Sequence, residues 1–509
     1  MRVTSRVLSA VICVGFLVAL TITGRAVDVP QPTFSSSPVR STLTLALPAP
    51  VPNPYWPTPE FSYGLSNGRD VTIGDLDGDG LNDIIVKPMY LHFHPEMQPR
   101  FWINVGNGQF EDRTAALVDG AVPAVAVANS TFVTDFNGDG RVDVFFVTFG
   151  LEDKPVGGFD GGRNIVMLSQ PDGRLKDTTA TSLRINDVTT NHVSSMADVD
   201  GNGAMDVFIQ RLGGSRVPGS GALLALNDGA GTFNETIRGL PREIAFLPTA
   251  QAGAVADRQA AGSTGACDLD GDRRTDIVTA SYANNFYPKN VRVFQQSASS
   301  EFAERFRTPL PRGITDLAPG NTQLGAAGII CGDLNGDARN DLGIHWETSV
   351  GGSNFIQLLR NDGSFQFTDV TLDWFGTWDS SYAARGRNRQ INGFEFRDLN
   401  RDGVLDFVPK IGGAWSPDML WAGGFASLND GTGRLQPMRY RPDNPGGTAA
   451  DLNRILGCVV YCTFTPLVFD ATGDGVTDLV LIDGETMKSR DLPYREDRVV
   501  LYTFAGSGS

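Results

Sequence analysis

Short runs of apolar residues recur along the chain, and each follows a cluster of aspartate, asparagine and glycine. Residues 144–147 (Val-Phe-Phe-Val) follow Asp143, and residues 479–482 (Leu-Val-Leu-Ile) follow Asp478. Short β-branched or aromatic runs bounded by turn-forming residues are typical of buried strands. A second predicted strand, such as residues 131–134, precedes each cluster. The pattern therefore predicts pairs of strands joined by a polar loop.

The polar cluster is a nine-residue loop that recurs seven times. Its first copy, residues 75–83, reads Asp-Leu-Asp-Gly-Asp-Gly-Leu-Asn-Asp, and successive copies begin 60 to 72 residues apart. Loops 1 to 7 begin at Asp75, Asp135, Asp198, Asp268, Asp333, Asp398 and Asp470. Seven copies of a unit of this length are the signature of a repeat architecture.

Each repeat contains two more predicted strands joined by a turn rich in Asn, Asp and Gly, such as residues 227–229. Four antiparallel strands per repeat, seven times over, predict an all-β fold: a seven-bladed β-propeller over residues 61–509, with a calcium-binding loop between strands 1 and 2 of each blade. The seventh repeat ends after its third strand. We expect residues 43–47, in the proline-rich segment 27–60, to supply the fourth strand, so that a ring-closing strand lies near residues 41–47.

Positions 1, 3, 5 and 9 of each loop carry oxygen-bearing side chains, and position 7 offers a backbone carbonyl. This donor set suits Ca²⁺, and glycines such as Gly78 and Gly80 permit the positive φ angles of a tight loop. An EF-hand is excluded because position 12, for example Val86, is never a carboxylate. We therefore predict up to seven Ca²⁺ ions as cofactors. The predicted ligands are Asp75, Asp77, Asp79, Leu81, Asp83; Asp135, Asn137, Asp139, Arg141, Asp143; Asp198, Asp200, Asn202, Ala204, Asp206; Asp268, Asp270, Asp272, Arg274, Asp276; Asp333, Asn335, Asp337, Arg339, Asp341; Asp398, Asn400, Asp402, Val404, Asp406; Asp470, Thr472, Asp474, Val476 and Asp478.

The net charge of −16, from 42 basic and 58 acidic residues, reflects these loops. No basic stripe is present, so a nucleic acid partner is not expected. Residues 1–26 resemble a secretory signal, with Arg2 and Arg6 before an apolar run over residues 7–22 that is short for a membrane span. We expect a monomer secreted to the extracellular space or the periplasm, without a membrane span after cleavage. An uncleaved anchor is the alternative.

Four cysteines lie beyond the predicted signal. Cys458 and Cys462 could form a short disulfide. Cys267 and Cys331 lie at or near the ends of corresponding predicted strands, and buried thiols are as good an interpretation for them. No cysteine spacing typical of a zinc site is present.

The seven Asp-x-Asp/Asn-Gly-Asp-Gly-x-x-Asp-type loops resemble the FG-GAP or VCBS-type repeats of bacterial secreted proteins. They also resemble the calcium-binding blades of integrin α-subunit propellers. The resemblance covers about residues 61–504. It implies calcium at the positions named above and an extracellular binding or enzymatic role.

The long insertions fall in connections that the topology places on the face opposite the loops. They are residues 87–100, 149–162, 373–390 and 410–421. Loops on a rigid scaffold are where binding residues concentrate. All four histidines lie near this face, and the third insertion adds Trp374 and several arginines. His345 and Trp346 also fit packing within a blade.

Two classes of function follow. The first is a binding module for a glycan, with an acidic glycan favoured by the arginines, or for a protein. The alternative is a polysaccharide-active enzyme, a lyase or glycosidase, in which His or Tyr acts as the base and Arg neutralises a uronate. The candidate catalytic residues are Tyr90, His92, His94, His192 and Arg389. A structural or adhesive surface protein is a third possibility.

Overall fold

A computed structural model places strands throughout the chain, in seven sheets of the predicted kind. The residues that the structure describes are 33–44, 71–87, 98–125, 128–152, 159–184, 187–211, 219–247, 261–281, 290–309, 324–348, 354–375, 391–411, 426–438, 464–483 and 498–507. Within them the sheets form a seven-bladed β-propeller arrangement, as predicted.

The first three blades follow two short N-terminal strands, β1 (Thr33–Phe34) and β2 (Val39–Thr44). Blade 1 contains β3 (Val71–Gly74), β4 (Asp83–Val86), β5 (Arg100–Asn104) and β6 (Phe110–Asp112). Blade 2 contains β7 (Val118–Asp119), β8 (Ala128–Thr134), β9 (Asp143–Thr148), β12 (Ile165–Ser169) and β13 (Leu175–Asp177), and β10 (Leu151–Glu152) pairs with β11 (Phe159–Gly161) in a separate ribbon. Blade 3 contains β14 (Asn191–Ala197), β15 (Asp206–Arg211), β16 (Gly221–Asn227) and β17 (Phe233–Thr236).

The remaining blades repeat the same antiparallel order. Blade 4 contains β18 (Ala261–Cys267), β19 (Asp276–Ser281), β20 (Asn290–Gln296) and β21 (Phe302–Pro309). Blade 5 contains β22 (Leu324–Gly332), β23 (Asp341–Thr348), β24 (Asn354–Gly363) and β25 (Gln366–Asp369). Blade 6 contains β26 (Ile391–Arg397), β27 (Asp406–Ile411), β28 (Ala426–Asn429) and β29 (Leu435–Met438). Blade 7 contains β30 (Phe464–Phe469), β31 (Asp478–Asp483) and β32 (Arg498–Phe504).

The fourth strand of blade 7 comes from the N-terminal segment. Strand β2 pairs antiparallel with β32, with Leu43 opposite Val499 and Ser41 opposite Leu501. The strand lies at Val39–Thr44, four residues earlier than the predicted 43–47, and residues 45–47 lie outside the described residues. Strands β1 and β33 (Gly506–Ser507) form a small additional ribbon beside it.

The second strand of each blade is the centre of its core. Strands β4, β9, β15 and β19 are buried along their whole length, which explains their continuous apolar sequences, because both faces of such a strand pack against neighbouring blades. One cluster of buried residues, for example, joins Leu43 and Leu501 of blade 7 to Trp102 of blade 1.

A disulfide between Cys267 and Cys331 joins strands β18 and β22, the first strands of blades 4 and 5, with their Cα atoms 6.4 Å apart. The interpretation of these residues as buried thiols was therefore wrong. The two strand ends are adjacent only because neighbouring blades place them side by side. Cys458 and Cys462 lie outside the described residues.

Helices are few and short in the described part of the chain. They are α1 (Thr114–Leu117), α2 (Thr179–Ser182) and α3 (Thr371–Phe375), each in or beside the connection that follows a fourth strand. No helix within these residues is long and apolar enough to cross a bilayer.

Candidate metal loops

Each of the seven loops lies between strands 1 and 2 of its blade, and its last aspartate is the first residue of strand 2. In loop 1 the glycines at positions 4 and 6 have φ angles of 79° and 90°, as predicted. In loops 4 and 5 position 6 is Arg273 or Ala338, with φ angles of 68° and 63°. All seven loops therefore keep one backbone shape, which in three of them requires a left-handed residue other than glycine, since Arg401 at position 4 of loop 6 has a φ angle of 61°.

The position-1 aspartate organises the loop backbone. In every loop one of its carboxylate oxygens accepts a hydrogen bond from the N–H group of position 6, over 2.7–3.0 Å. The position-5 side chain accepts a bond from the N–H group of position 7, again over 2.7–3.0 Å. These side chains are thus directed into the loop.

The position-9 aspartate is fully buried in all seven loops. Its Oδ2 atom accepts a hydrogen bond from the N–H group of position 2, over 2.7–3.0 Å. Its Oδ1 atom accepts one from an N–H group at or just after the end of strand 3, over 2.7–2.9 Å. The position-9 aspartate therefore closes the loop and connects it to strand 3 of the same blade.

Burial gives these carboxylates an electrostatic cost. Desolvation raises the pKa of Asp83, Asp276 and Asp406 to about 7 and that of Asp206 and Asp341 to about 6. Burial also raises the pKa of Asp143 and of Asp478. The backbone hydrogen bonds act in the opposite direction, while nearby carboxylates, such as Asp77 and Asp79 beside Asp83, add to the rise. A cation held among these groups favours their charged form.

Three of the loops bring the carboxylates of positions 1, 3 and 9 together, with one oxygen from each lying within 4.8 Å of the others. They are loop 1 (Asp75, Asp77, Asp83), loop 3 (Asp198, Asp200, Asp206) and loop 4 (Asp268, Asp270, Asp276). Loops 2, 5 and 6 have asparagine at position 3, whose amide donates to the position-5 carboxylate. An all-oxygen donor set of this kind fits a hard cation such as Ca²⁺.

In five blades, a residue at or near the end of strand 3 has an amide side chain whose role the sequence alone did not reveal. The Nδ2 or Nε2 atom of each donates to the backbone carbonyl of position 2 in the preceding loop, over 2.7–2.9 Å. The five residues are Asn104, Asn227, Gln296, Asn361 and Asn429. Asn227 is predicted from the sequence only as a turn residue, although its place at the end of a third strand, before the hairpin, is visible there.

The structure describes only some of the candidate residues of the opposite face. Tyr90, His92, His94 and Arg389 lie outside the described residues, and His192 is described only by its backbone in β14. His345 and Trp346 are fully buried in β23, and Trp346 Nε1 donates to Gln357 Oε1 over 3.0 Å. Trp374 is buried in α3 rather than exposed in an insertion. These last three residues therefore belong to blade packing.

Comparison with known proteins agrees with the repeat. A family model described as an FG-GAP-like repeat matches residues 135–209, which contain loops 2 and 3. With the seven-blade arrangement, this match confirms the resemblance to FG-GAP repeat proteins.

Two solved structures are similar to this chain at low sequence identity. BBS1N, in a complex with ARL6DN from a crystal soaked with lead, is 8% identical, with 91% of this chain and 97% of that chain covered and a TM-score of 0.42. A protein from Lactobacillus plantarum is 10% identical, with 66% and 74% covered and a TM-score of 0.33. Scores this low support no inference about function.

Proposed function

We propose that this protein is an exported, calcium-stabilised β-propeller that binds an extracellular glycan or protein on the face opposite its metal loops. The observation that carries the proposal is the convergence of three carboxylates within 4.8 Å in loops that repeat around the ring. Carboxylates at such separations repel one another and favour a cation between them. In loop 1 the ion would be held by Asp75, Asp77, Asp79, Asp83 and the backbone carbonyl of Leu81.

Export is supported by the disulfide between Cys267 and Cys331, because such bonds persist in oxidising compartments. The apolar segment over residues 7–22 fits the same interpretation. Calcium fits it as well, since millimolar calcium outside cells can fill sites of modest affinity. The bound ions would neutralise the buried aspartates, and the chain's own hydrogen bonds would keep the loops shaped for them.

The ligand is assigned to the opposite face because the hairpins between strands 3 and 4 pack beside the metal loops. Asn202 Nδ2, for instance, donates to the carbonyl of Asn227 over 2.7 Å. The long insertions leave the other ends of the strands. An acidic glycan is the first candidate for the arginine- and aromatic-rich insertion over residues 376–390.

Removal of calcium tests the metal. Addition of EDTA to the purified protein should lower its Tm by on the order of 10 °C, because each site filled at a hundred times its Kd contributes about 2.7 kcal/mol to folding. Restored calcium should reverse the loss, whereas magnesium at the same concentration serves as the control. An unchanged Tm in EDTA contradicts structural calcium.

A glycan array tests the ligand face. A His92→Ala/His94→Ala variant should lose most of the binding seen with the wild-type protein, whereas Asp172→Asn, in a hairpin on the metal side, should retain it. Ultraviolet detection of unsaturated products on uronic-acid polymers would report lyase activity in the same samples. Binding that survives the histidine substitutions would place the ligand elsewhere.

A further inference from the structure

Loops 4 and 5 keep the acidic pattern of the other loops but combine two features that no other loop has together. Position 6 is not glycine in either, and position 7 is an arginine, Arg274 or Arg339. Both backbones nevertheless adopt the common loop shape, with left-handed residues at position 6. A left-handed residue other than glycine carries a conformational cost, which loops 4 and 5 bear at position 6 and loop 6 bears at position 4, in Arg401.

In loop 4 the arginine side chain lies over the loop's own acids. Its Nη2 atom pairs with Oδ2 of Asp272 at position 5, and its Nε atom donates to the carbonyl of Gln296 over 3.2 Å. A second protein donor, Nε2 of Gln295, bonds Oδ2 of Asp270 at position 3. Two of the four predicted side-chain ligands therefore already bond side-chain donors of the chain, in addition to the backbone N–H groups that all seven loops provide.

Loop 5 repeats this arrangement in a different blade. The Nη2 atom of Arg339 pairs with Oδ2 of Asp337, and its Nε atom donates to the carbonyl of Asn361 over 2.8 Å. The guanidinium thus spans from the position-5 carboxylate to the end of strand 3 in both loops. The side chains of Arg274 and Arg339 are 39% and 44% exposed, but each makes the same two contacts, and this repeated geometry distinguishes them from an ion pair with a single contact.

Arginine near a loop does not by itself produce the arrangement. Loop 2 has Arg141 at position 7, yet the position-5 carboxylate Asp139 accepts its bond from Ser169 Oγ over 3.0 Å. Arg401 of loop 6 approaches Asp470 of loop 7 at 3.3 Å, but its side chain is 64% exposed. Neither guanidinium is fixed as those of Arg274 and Arg339 are.

We infer that Arg274 and Arg339 take the place of calcium in loops 4 and 5. The inference rests on the proposed function, since it assigns the metal to the other loops. A guanidinium stays charged at any physiological pH and cannot be displaced by deprotonation, so it neutralises the position-5 carboxylate and repels a divalent cation. Although three carboxylates of loop 4 converge, the fourth is committed to the arginine.

The same two blades carry the disulfide. Cys267 immediately precedes loop 4, and Cys331 lies two residues before loop 5. Blades 4 and 5 are therefore held by a covalent bond and by internal cations at the very ends where the other blades would use calcium. Together they form a calcium-independent sector of the propeller.

Counting bound ions tests the inference. Native mass spectrometry of the full chain in millimolar calcium should show loops 4 and 5 empty, with five ions when all other loops are filled. Arg273→Gly/Arg274→Leu gives loop 4 the residues of loop 1 at these positions and should add one ion. Ala338→Gly/Arg339→Leu should do the same for loop 5. Arg141→Leu and Arg401→Ala are the matched controls and should leave the count unchanged.

The outcomes separate the two proposals. Seven ions on the wild-type protein would overturn the inference and leave the proposed calcium binding intact. The same follows if neither converted protein binds an additional ion. No ion on any variant would overturn both. If the converted proteins fail to fold, hydrogen exchange of the Cys267→Ser/Cys331→Ser variant decides, because in the wild-type protein the disulfide alone would protect β18 and β22. In EDTA these two strands of the variant should stay protected while β3 and β14 lose protection, and equal loss everywhere overturns the inference.

Discussion

Two junctions between neighbouring blades, 7/1 and 4/5, are built from equivalent strands but held in different ways. At both, an asparagine at the end of strand 3 reaches the preceding loop: Asn104 Nδ2 to the carbonyl of Ala471 over 2.9 Å, and Asn361 Nδ2 to that of Leu269 over 2.8 Å. Only the second junction also carries a disulfide. Packing and hydrogen bonds hold the blades together at the first junction, whereas a covalent bond adds to them at the second.

In the part of the chain that the structure describes, the 7/1 junction closes the ring by packing and hydrogen bonds, with no disulfide across it. Its buried cluster gathers residues from β2, β32 and blade 1, and Phe110 packs edge-on against Phe469 with their ring centroids 6.4 Å apart. Ser41 of β2 accepts a hydrogen bond from the N–H group of Phe110 over 3.0 Å. Strand β2 therefore both completes blade 7 and contacts blade 1, which makes it the part of the molecule on which closure depends most.

The largest effect is expected from a charge placed in that closing strand. Leu43→Asp should lower the free energy of unfolding by about 4–5 kcal/mol, because Leu43 is buried and the new carboxylate would have no partner there. Chemical denaturation would measure the loss. Thr42→Asp, at the exposed neighbouring position, is the control and should change stability little; equal effects would mean that β2 is not packed as described.

Loss of the disulfide should come second. Cys267→Ser/Cys331→Ser should cost about 2–4 kcal/mol, because the bond closes a loop with a sequence separation of 64 residues. Reduction of the wild-type protein should reproduce the loss, as measured by its thermal or denaturant midpoint. A wild-type midpoint that ignores reductant would show that blades 4 and 5 hold together without the bond.

Removal of either strand-end amide should cost the least stability of the three changes. Asn104→Ala and Asn361→Ala remove nearly identical bonds, and each should cost about 1–2 kcal/mol. Hydrogen exchange should nevertheless distinguish them. Exchange in β2 should rise in Asn104→Ala, whereas β18 and β22 in Asn361→Ala should stay protected by the tether. The same rise at both junctions would mean that the disulfide does not limit local opening.

Much of the fold could be predicted because the repeat is defined by residues that are close together in the sequence. The seven loops, the buried second strands and the hairpin turns all depend on local patterns. The register of β2 does not depend on local patterns. The sequence alternates more regularly over residues 43–47 than over residues 39–44, but the pairing of the strand is set by β32. The bond between Cys267 and Cys331 likewise depends on which blades become neighbours, which local patterns do not encode.

The candidate site divides in the same way. The aspartates at loop positions could be named from spacing alone, but the contacts of Arg274 and Arg339 could not. Both residues are predicted as ligands through their backbone carbonyls. The sequence gives no sign that their side chains turn back onto the loop. Nor could the amide of Asn104 be assigned, because its acceptor lies in another blade.

The partner strands of the closing sheet are made at very different times. Strand β2 must wait for β32, about 450 residues later in the chain, which at ordinary rates of synthesis corresponds to roughly 20 to 90 s. During that interval β2 is an unpaired segment that is open to pairing with other chains. The polar composition of β2, Val-Arg-Ser-Thr-Leu-Thr, disfavours such pairing, and it leaves a single leucine to anchor the strand once the ring is complete.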